Sequence, residues 1–233
     1  MMKKKILLFV LLVIGVLSIT GCGKKEEPKK EEPRAAAVAF KEEYESLNGK
    51  EIKEGIVHRT VTIDEYNPFV KVTAKELLEK IDNKETFYVY FGDKLCPWCR
   101  SVIEKAVEVA KSKNIDTIYY VNIWDDEYNE ILRDKYTLGK KDKPVKSIEG
   151  TEEYARFLEI FDNVLSDYTL TTSKGKAVST GEKRIYAPNF IYVENGESIR
   201  LTTGNSEKQT GAFDELTEEI LTDEQKLFEE FFK

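Results

Sequence analysis

The sequence predicts an α/β chain, with a parallel β-α-β unit in its middle and an antiparallel hairpin near its end. Three observations predict it. Phe87-Tyr88-Val89-Tyr90-Phe91 is an unbroken apolar run closed by Gly92, the pattern of a central strand. Val102, Ile103, Ala106, Val107 and Ala110 follow Pro97 at helical spacing. Asn195-Gly196 separates Phe190–Val193 from Ser198–Thr202 and is a two-residue hairpin signal.

The other elements follow in order. Phe40 to Leu47 is expected as a short helix. Ile52, Ile56, Val57, Val61 and Ile63 mark one or two β segments, with His58 as an exposed strand residue. Thr73 stands three residues before Glu76, the spacing of a capping box, and opens a helix over 73–82 whose stripe is Leu77, Leu78 and Ile81. Strand 86–91, helix 97–112 and strand 115–123 then make the β-α-β unit, whose strands should lie parallel. Asp125 and Asp126 suit a helix start and Gly139 its end. Thr151 opens another helix, carrying Tyr154, Phe157, Leu158, Phe161 and Leu165. The stretch from 169 to 182 reads as a loop or irregular hairpin. Helical signals resume at Phe213, Leu216 and Ile220, and Leu227, Phe228, Phe231 and Phe232 lie on a last amphipathic helix.

The 233 residues, 41% hydrophobic, suffice for one domain with a sizeable core or a domain with an insertion. A net charge of −7 carries no basic nucleic-acid footprint. Three cysteines are too few for a disulfide scaffold.

Two of those cysteines carry the chemistry. Cys96 and Cys99 lie three apart on the first turn of the 97–112 helix. The unpaired N–H groups and the dipole of a helix N-terminus favour a thiolate there. A cysteine so placed commonly has its pKa lowered from ~8.5 into the range ~3.5–7.5. Cys96, at the entrance, is the expected exposed nucleophile, and Cys99, one turn in, the shielded partner that resolves a mixed disulfide. The same spacing also occurs in half a zinc site, a structural disulfide or a pair of inert thiols. With no second cysteine pair and a single histidine, four zinc ligands are not in view, and no metal is expected. A three-residue disulfide loop would constrain little.

The N-terminus reads as an address. Met1 to Lys5 is basic, and Ile6 to Ile19 is apolar but shorter than the ~20 residues of a comfortable membrane span. Ser18-Ile19-Thr20-Gly21-Cys22 resembles a bacterial lipobox, which implies cleavage before Cys22 and lipid on that residue. An uncleaved anchor with an incidental cysteine is the competing reading. Either places the domain outside the membrane that holds it. Loss of Lys3, Lys4 and Lys5 makes the mature body three units more negative still. Lys24-Lys25-Glu26-Glu27-Pro28 nearly repeats as Lys29-Lys30-Glu31-Glu32-Pro33, a charged spacer that cannot fold alone. The expected divisions are a signal peptide over 1–21, a lipidated tether over 22–41 and a folded domain over 42–233.

Cys96-Pro97-Trp98-Cys99 after a strand, Ala187-Pro188 before a strand, and Glu194-Asn195-Gly196-Glu197 as a hairpin together resemble the thioredoxin fold. The resemblance covers roughly 73–123 and 184–221. Phe87 to Cys99 is also similar to bacteriocin transport accessory proteins, a thioredoxin-like branch. This implies a central mixed sheet flanked by helices, with residues of about 124–183 as a helical insertion between the β-α-β half and the hairpin half. It implies a cis bond before Pro188, opposite the cysteines, and a client site formed by Pro97, Trp98, Ala187 and Pro188. It implies no cofactor, and as partners client proteins bearing thiols or disulfides and a further redox protein. Thioredoxins carry a buried Asp six residues before the first cysteine; here that residue is Tyr90. Asp93 and Glu104 are the substitute candidates for proton transfer, with solvated surface charge as the bland alternative. Oxidising relatives have histidine where Trp98 stands, which does not fix the direction of electron flow. The expected function is a membrane-tethered, extracytoplasmic thiol–disulfide oxidoreductase. A non-catalytic accessory module on the same scaffold is the alternative.

Overall fold

The computed structural model describes residues 32–233. The expected signal peptide, Cys22 and most of the charged spacer lie outside the described residues. In chain order the elements are α1 (Ala35–Glu45), β1 (Glu51–Lys53), β2 (Ile56–Val57), β3 (Phe69–Lys71), α2 (Ala74–Asp82), β4 (Phe87–Gly92), α3 (Pro97–Ser112) and β5 (Ile118–Asn122). There follow β6 (Lys135–Leu138), β7 (Pro144–Ile148), α4 (Glu152–Ile160), β8 (Ser166–Thr171), β9 (Ala177–Arg184), β10 (Asn189–Glu194), β11 (Glu197–Thr202) and α5 (Glu218–Phe231). No helix among them is long and apolar enough to cross a membrane.

Five strands form one mixed sheet in the order β11-β10-β4-β5-β3. The neighbours β4–β5 and β3–β5 run parallel, whereas β10 runs antiparallel to both β4 and β11. The chain is thus α/β, its mixed sheet flanked by helices. Strand alternation decides the layers. Tyr90, Tyr120 and Phe190 face one core with α1, α3 and α5, which supply Tyr44, Val102, Ile103 and Phe228. Val89, Phe91, Val121 and Ile191 face the other core with α2 and α4, which supply Leu77, Ile81, Phe157 and Phe161. Each such fully buried side chain stabilises the fold by ~1.5–3 kcal/mol before entropy is counted.

The local signals explain the element ends. Thr73 and Glu76 form the capping box, each accepting the other's backbone N–H. Thr151 and Thr217 cap α4 and α5 in the same way through their hydroxyls. Asn195 (φ 52°) and Gly196 (φ 79°) make the turn from β10 to β11. A Cβ on Gly196 would meet the Ile81 carbonyl at 2.5 Å, so this turn also seats against the end of α2.

Four expectations need correction. The folded body begins earlier than Phe40: α1 starts at Ala35 and buries Ala37, Phe40 and Tyr44, so the spacer does not extend to residue 41. No helix spans 125–139. Asp125 Oδ1 instead accepts the N–H groups of Glu127 and Asn129, and Tyr128 adopts φ 63°. Such local side-chain bonding competes with helix. The stretch between β5 and β10 is therefore not a helical insertion. It holds two hairpins, β6–β7 and β8–β9, around a single α-helix, α4, with one 3-10 turn at Lys140–Asp142 between β6 and β7. Helix also fails to resume at Phe213, which is half-exposed in a loop; α5 begins only at Glu218.

Candidate active site

The sheet register brings two distant segments to one edge of the fold. Gly92 pairs with Asn122 at the ends of β4 and β5, and Asn189 pairs with Phe91 at the start of β10. Asp93 to Cys99 leave the sheet there, and Ala187-Pro188 enter it there. The Ala187–Pro188 peptide bond is cis.

Cys96 is the N-cap of α3, and Pro97 occupies the first turn. The Cys96 Sγ accepts the Cys99 N–H at 3.4 Å and lies 3.4 Å from the carbonyl oxygen of Ala187. Its thiol is held below the usual range, first by hydrogen bonding from the Cys99 thiol. The N–H groups of Cys99 and Trp98 and the Arg133 guanidinium act in the same direction, against the opposing effect of burial. Cys99 is pushed well up, chiefly by burial and by the hydrogen bond it gives Cys96. Both residues are free thiols. The two sulfurs thus differ in acidity in the sense the sequence predicts.

Exposure departs from expectation. Cys96 is only 3% accessible, not an open nucleophile. Ala187 stands against the sulfur. Lys94 pairs with Asp126 at 2.8 Å, which ties the turn after β5 to the turn before α3. Pro97, Trp98 and Ala187 are partly exposed around the pair, and Pro188 is buried. Asn205 Nδ2 donates to the Trp98 carbonyl at 3.4 Å and fixes that rim.

Of the two proton-transfer candidates, one lies at the site. Asp93 is buried, accepts the Leu95 N–H at 2.8 Å, and has its carboxyl raised to about 7 by burial. Its own N–H helps stabilise a Cys99 thiolate. Glu104 is exposed on the next turns of α3, where it accepts the Thr62 N–H; it belongs to the surface-charge reading.

Tyr90, six residues before Cys96, is fully buried. Its ring lies along its own strand over Gly92, where a Cβ would meet the phenol oxygen at 2.1 Å. The Tyr90 hydroxyl hydrogen-bonds Cys99 and meets the Tyr44 hydroxyl at 2.7 Å. His58 is buried rather than exposed, with Nε2 at 3.5 Å from the Tyr128 hydroxyl, and burial pushes its pKa down.

Two arginines at the site escape sequence reasoning. Arg100, next to Cys99, is buried and donates to the carbonyls of Arg59, Tyr44 and Lys94 and to Asn48 Oδ1. It locks the β1–β2 hairpin onto α3. A charged residue directly after an apolar-helix cysteine was the available signal. Arg133 lies in the segment expected to be helical, so nothing in its spacing pointed toward the cysteines.

No family model matches the chain, and the search of curated proteins gives no match either.

Proposed function

We propose that this chain is a thiol–disulfide oxidoreductase on a thioredoxin-like scaffold, held outside the cytosol by lipid on Cys22. The observation that carries the reading is the Cys96 sulfur, lowered in pKa at the N-cap of α3 and 3.4 Å from the Ala187 carbonyl. A lowered thiol supplies the nucleophile, and a raised one beside it stays protonated until needed.

The exchange balances as follows. The Cys96 thiolate attacks one sulfur of a client disulfide; that bond breaks, and the leaving thiolate takes up a proton. Cys99 then gives up its proton and attacks Cys96, which releases the second client thiol and closes a Cys96–Cys99 disulfide. Two electrons pass to the client, and a protein dithiol must return them. Run in reverse, with a protein disulfide as oxidant, the same pair oxidises clients. The chemistry needs no bound cofactor. An extended client backbone would pair beside Ala187, as in strand addition, with Pro97, Trp98 and Pro188 around it.

The near-complete burial of Cys96 favours a second reading, an accessory module that binds a partner and whose thiols do not exchange. One experiment separates them. Cys99→Ser should accumulate mixed disulfides through Cys96, and Cys96→Ser should abolish insulin reduction together with any cellular phenotype. Full activity in cells for Cys96→Ser, with an empty Cys99→Ser trap under oxidising and reducing growth, would select the accessory module.

A further inference from the structure

We propose that Arg133 is a positioning residue for Cys96: a buried Arg133–Glu130–Arg184 cluster, built by the segment between β5 and β10, places net positive charge beside the sulfur. The inference deepens the exchange reading and rests on it for its biological meaning, but not for its test.

The geometry is a reciprocal clasp. Arg133 is 4% exposed. Its Nε and Nη2 donate to the two oxygens of Glu130 at 2.9 and 2.6 Å, and its Nη1 donates to the Ile185 carbonyl at 3.1 Å. Arg184 answers from the end of β9. Its Nη2 lies 3.4 Å from Glu130 Oε1, and its Nη1 donates to the Asp134 carbonyl at 2.7 Å. Each arginine therefore grips the backbone beside the other. Ile185 is two residues before Ala187, whose carbonyl touches Cys96. The Trp124 ring lies under the Arg133 guanidinium at 5.6 Å, and Trp124 bridges to Glu130.

The charges do not cancel. Two guanidiniums share one carboxylate, so the cluster keeps one positive charge in a place almost without water. Screening by salt is weak there, and a positive charge favours the thiolate of any nearby cysteine. Arg133 is the one charged side chain among the causes that hold the Cys96 thiol down. The other titratable neighbours oppose a second negative charge or stay neutral: Cys99, Tyr128 and the buried Asp93. Tyr154 and Asp134 flank the arginines on the far side. Trp98 and Pro97 are the residues between the cysteines, so the cation comes from outside the motif.

A buried ion cluster can also be a brace and nothing more, so the test uses changes of opposite sign. In the reduced full chain, the Cys96 thiolate is titrated by its ultraviolet absorbance and by the pH profile of alkylation. Arg133→Met should raise the midpoint by about half a unit or more, roughly a threefold loss of thiolate below the midpoint. Glu130→Gln should lower it, and Arg133→Lys should hold it near wild type. A brace alone would move no midpoint, or move both variants the same way as the fold loosens. Either result, in chains whose unfolding midpoints show them folded, would overturn the proposal. If Arg133→Met does not fold, Glu130→Gln decides alone: a lowered midpoint supports the proposal, and an unmoved one overturns it. A chain whose midpoint responds, yet which neither reduces nor oxidises insulin, would sink the exchange reading and leave this inference standing.

Discussion

The hydroxyls of Tyr44 and Tyr90 meet 2.7 Å apart in the core, beside Cys99. Neither oxygen has access to water, and burial pushes both phenols far above their usual pKa. Both therefore stay neutral and act as hydrogen-bond donors and acceptors. Removing the Tyr90 hydroxyl strands that of Tyr44, whereas Tyr90 would keep its bond to Cys99. Tyr90→Phe should cost about 1–3 kcal/mol, because it leaves the Tyr44 hydroxyl buried and unpaired. It should also raise the Cys99 pKa further. The double change Tyr44→Phe with Tyr90→Phe should cost less than the sum of the single changes, as urea unfolding of the four chains would read. Additive losses would mean that the hydroxyls are not coupled.

The turn after β5 carries Tyr128, whose hydroxyl feels the charge of Cys96. The Lys94–Asp126 pair ties that turn to the start of α3, but Asp126 is exposed and the pair is weak. Asp126→Ala should accelerate Cys96 alkylation at fixed pH by about twofold. The Cys96 pKa should not change. An unaltered rate would place the barrier to access elsewhere.

Asp93 supplies a pH signature. Its carboxyl is raised to about 7, so it ionises near neutrality, where it can accept the proton that Cys99 must lose. Decay of a trapped Cys96 mixed disulfide should speed up as pH rises through about 7. Asp93→Asn should remove that rise and slow the step by about tenfold or more. Stopped-flow decay across pH is the measurement, and an unchanged profile would exclude Asp93 from the step.

Glu224 gives a stability signature on α5. It is fully buried on α5, neither carboxyl oxygen has a hydrogen-bond partner, and its pKa is raised to about 8 by burial, against the opposing charges of Arg59 and Lys105. The sign follows from linkage. A raised folded pKa means that the native state holds its proton more tightly than the unfolded chain. Stability from this group is complete below about 4.5 and is lost as pH climbs to about 8. Glu224→Gln should remove that slope and make the protein more stable than wild type above pH ~8, by on the order of 2 kcal/mol. Denaturant midpoints at acid and alkaline pH would test this. Equal slopes in both chains would contradict it.

Anchoring is tested separately. Cys22→Ala should release the chain from the membrane fraction or block its processing. An unchanged fraction would remove the lipid anchor from the proposal.

Much of this site was legible in the sequence because its signals are local. Phe87 to Gly92 alternates between two cores, Thr73 caps with Glu76, and Cys96-Pro97 opens a helix; each depends on neighbours within one turn or one strand. Ala187-Pro188 was legible only through resemblance, since no local rule joins it to a sulfur 91 residues away. What failed was long-range. Tyr128, Ile131 and Leu132 have helical spacing, yet Asp125 closes a turn on its own backbone and tertiary contacts take the segment over the cysteines. Tyr128 of that segment lies near both Cys96 and His58, so their burial is not visible in local spacing either. Arg133 was invisible for the same reason.

The separation of 91 positions between Cys96 and Ala187 has a consequence for biosynthesis. A chain made from its N-terminus displays both thiols before the peptide that shelters them exists. Until β10 docks, the Ala187 carbonyl is not there to cover the Cys96 sulfur. Their protection is a property of the finished molecule, and the newborn polypeptide must cross that interval unshielded.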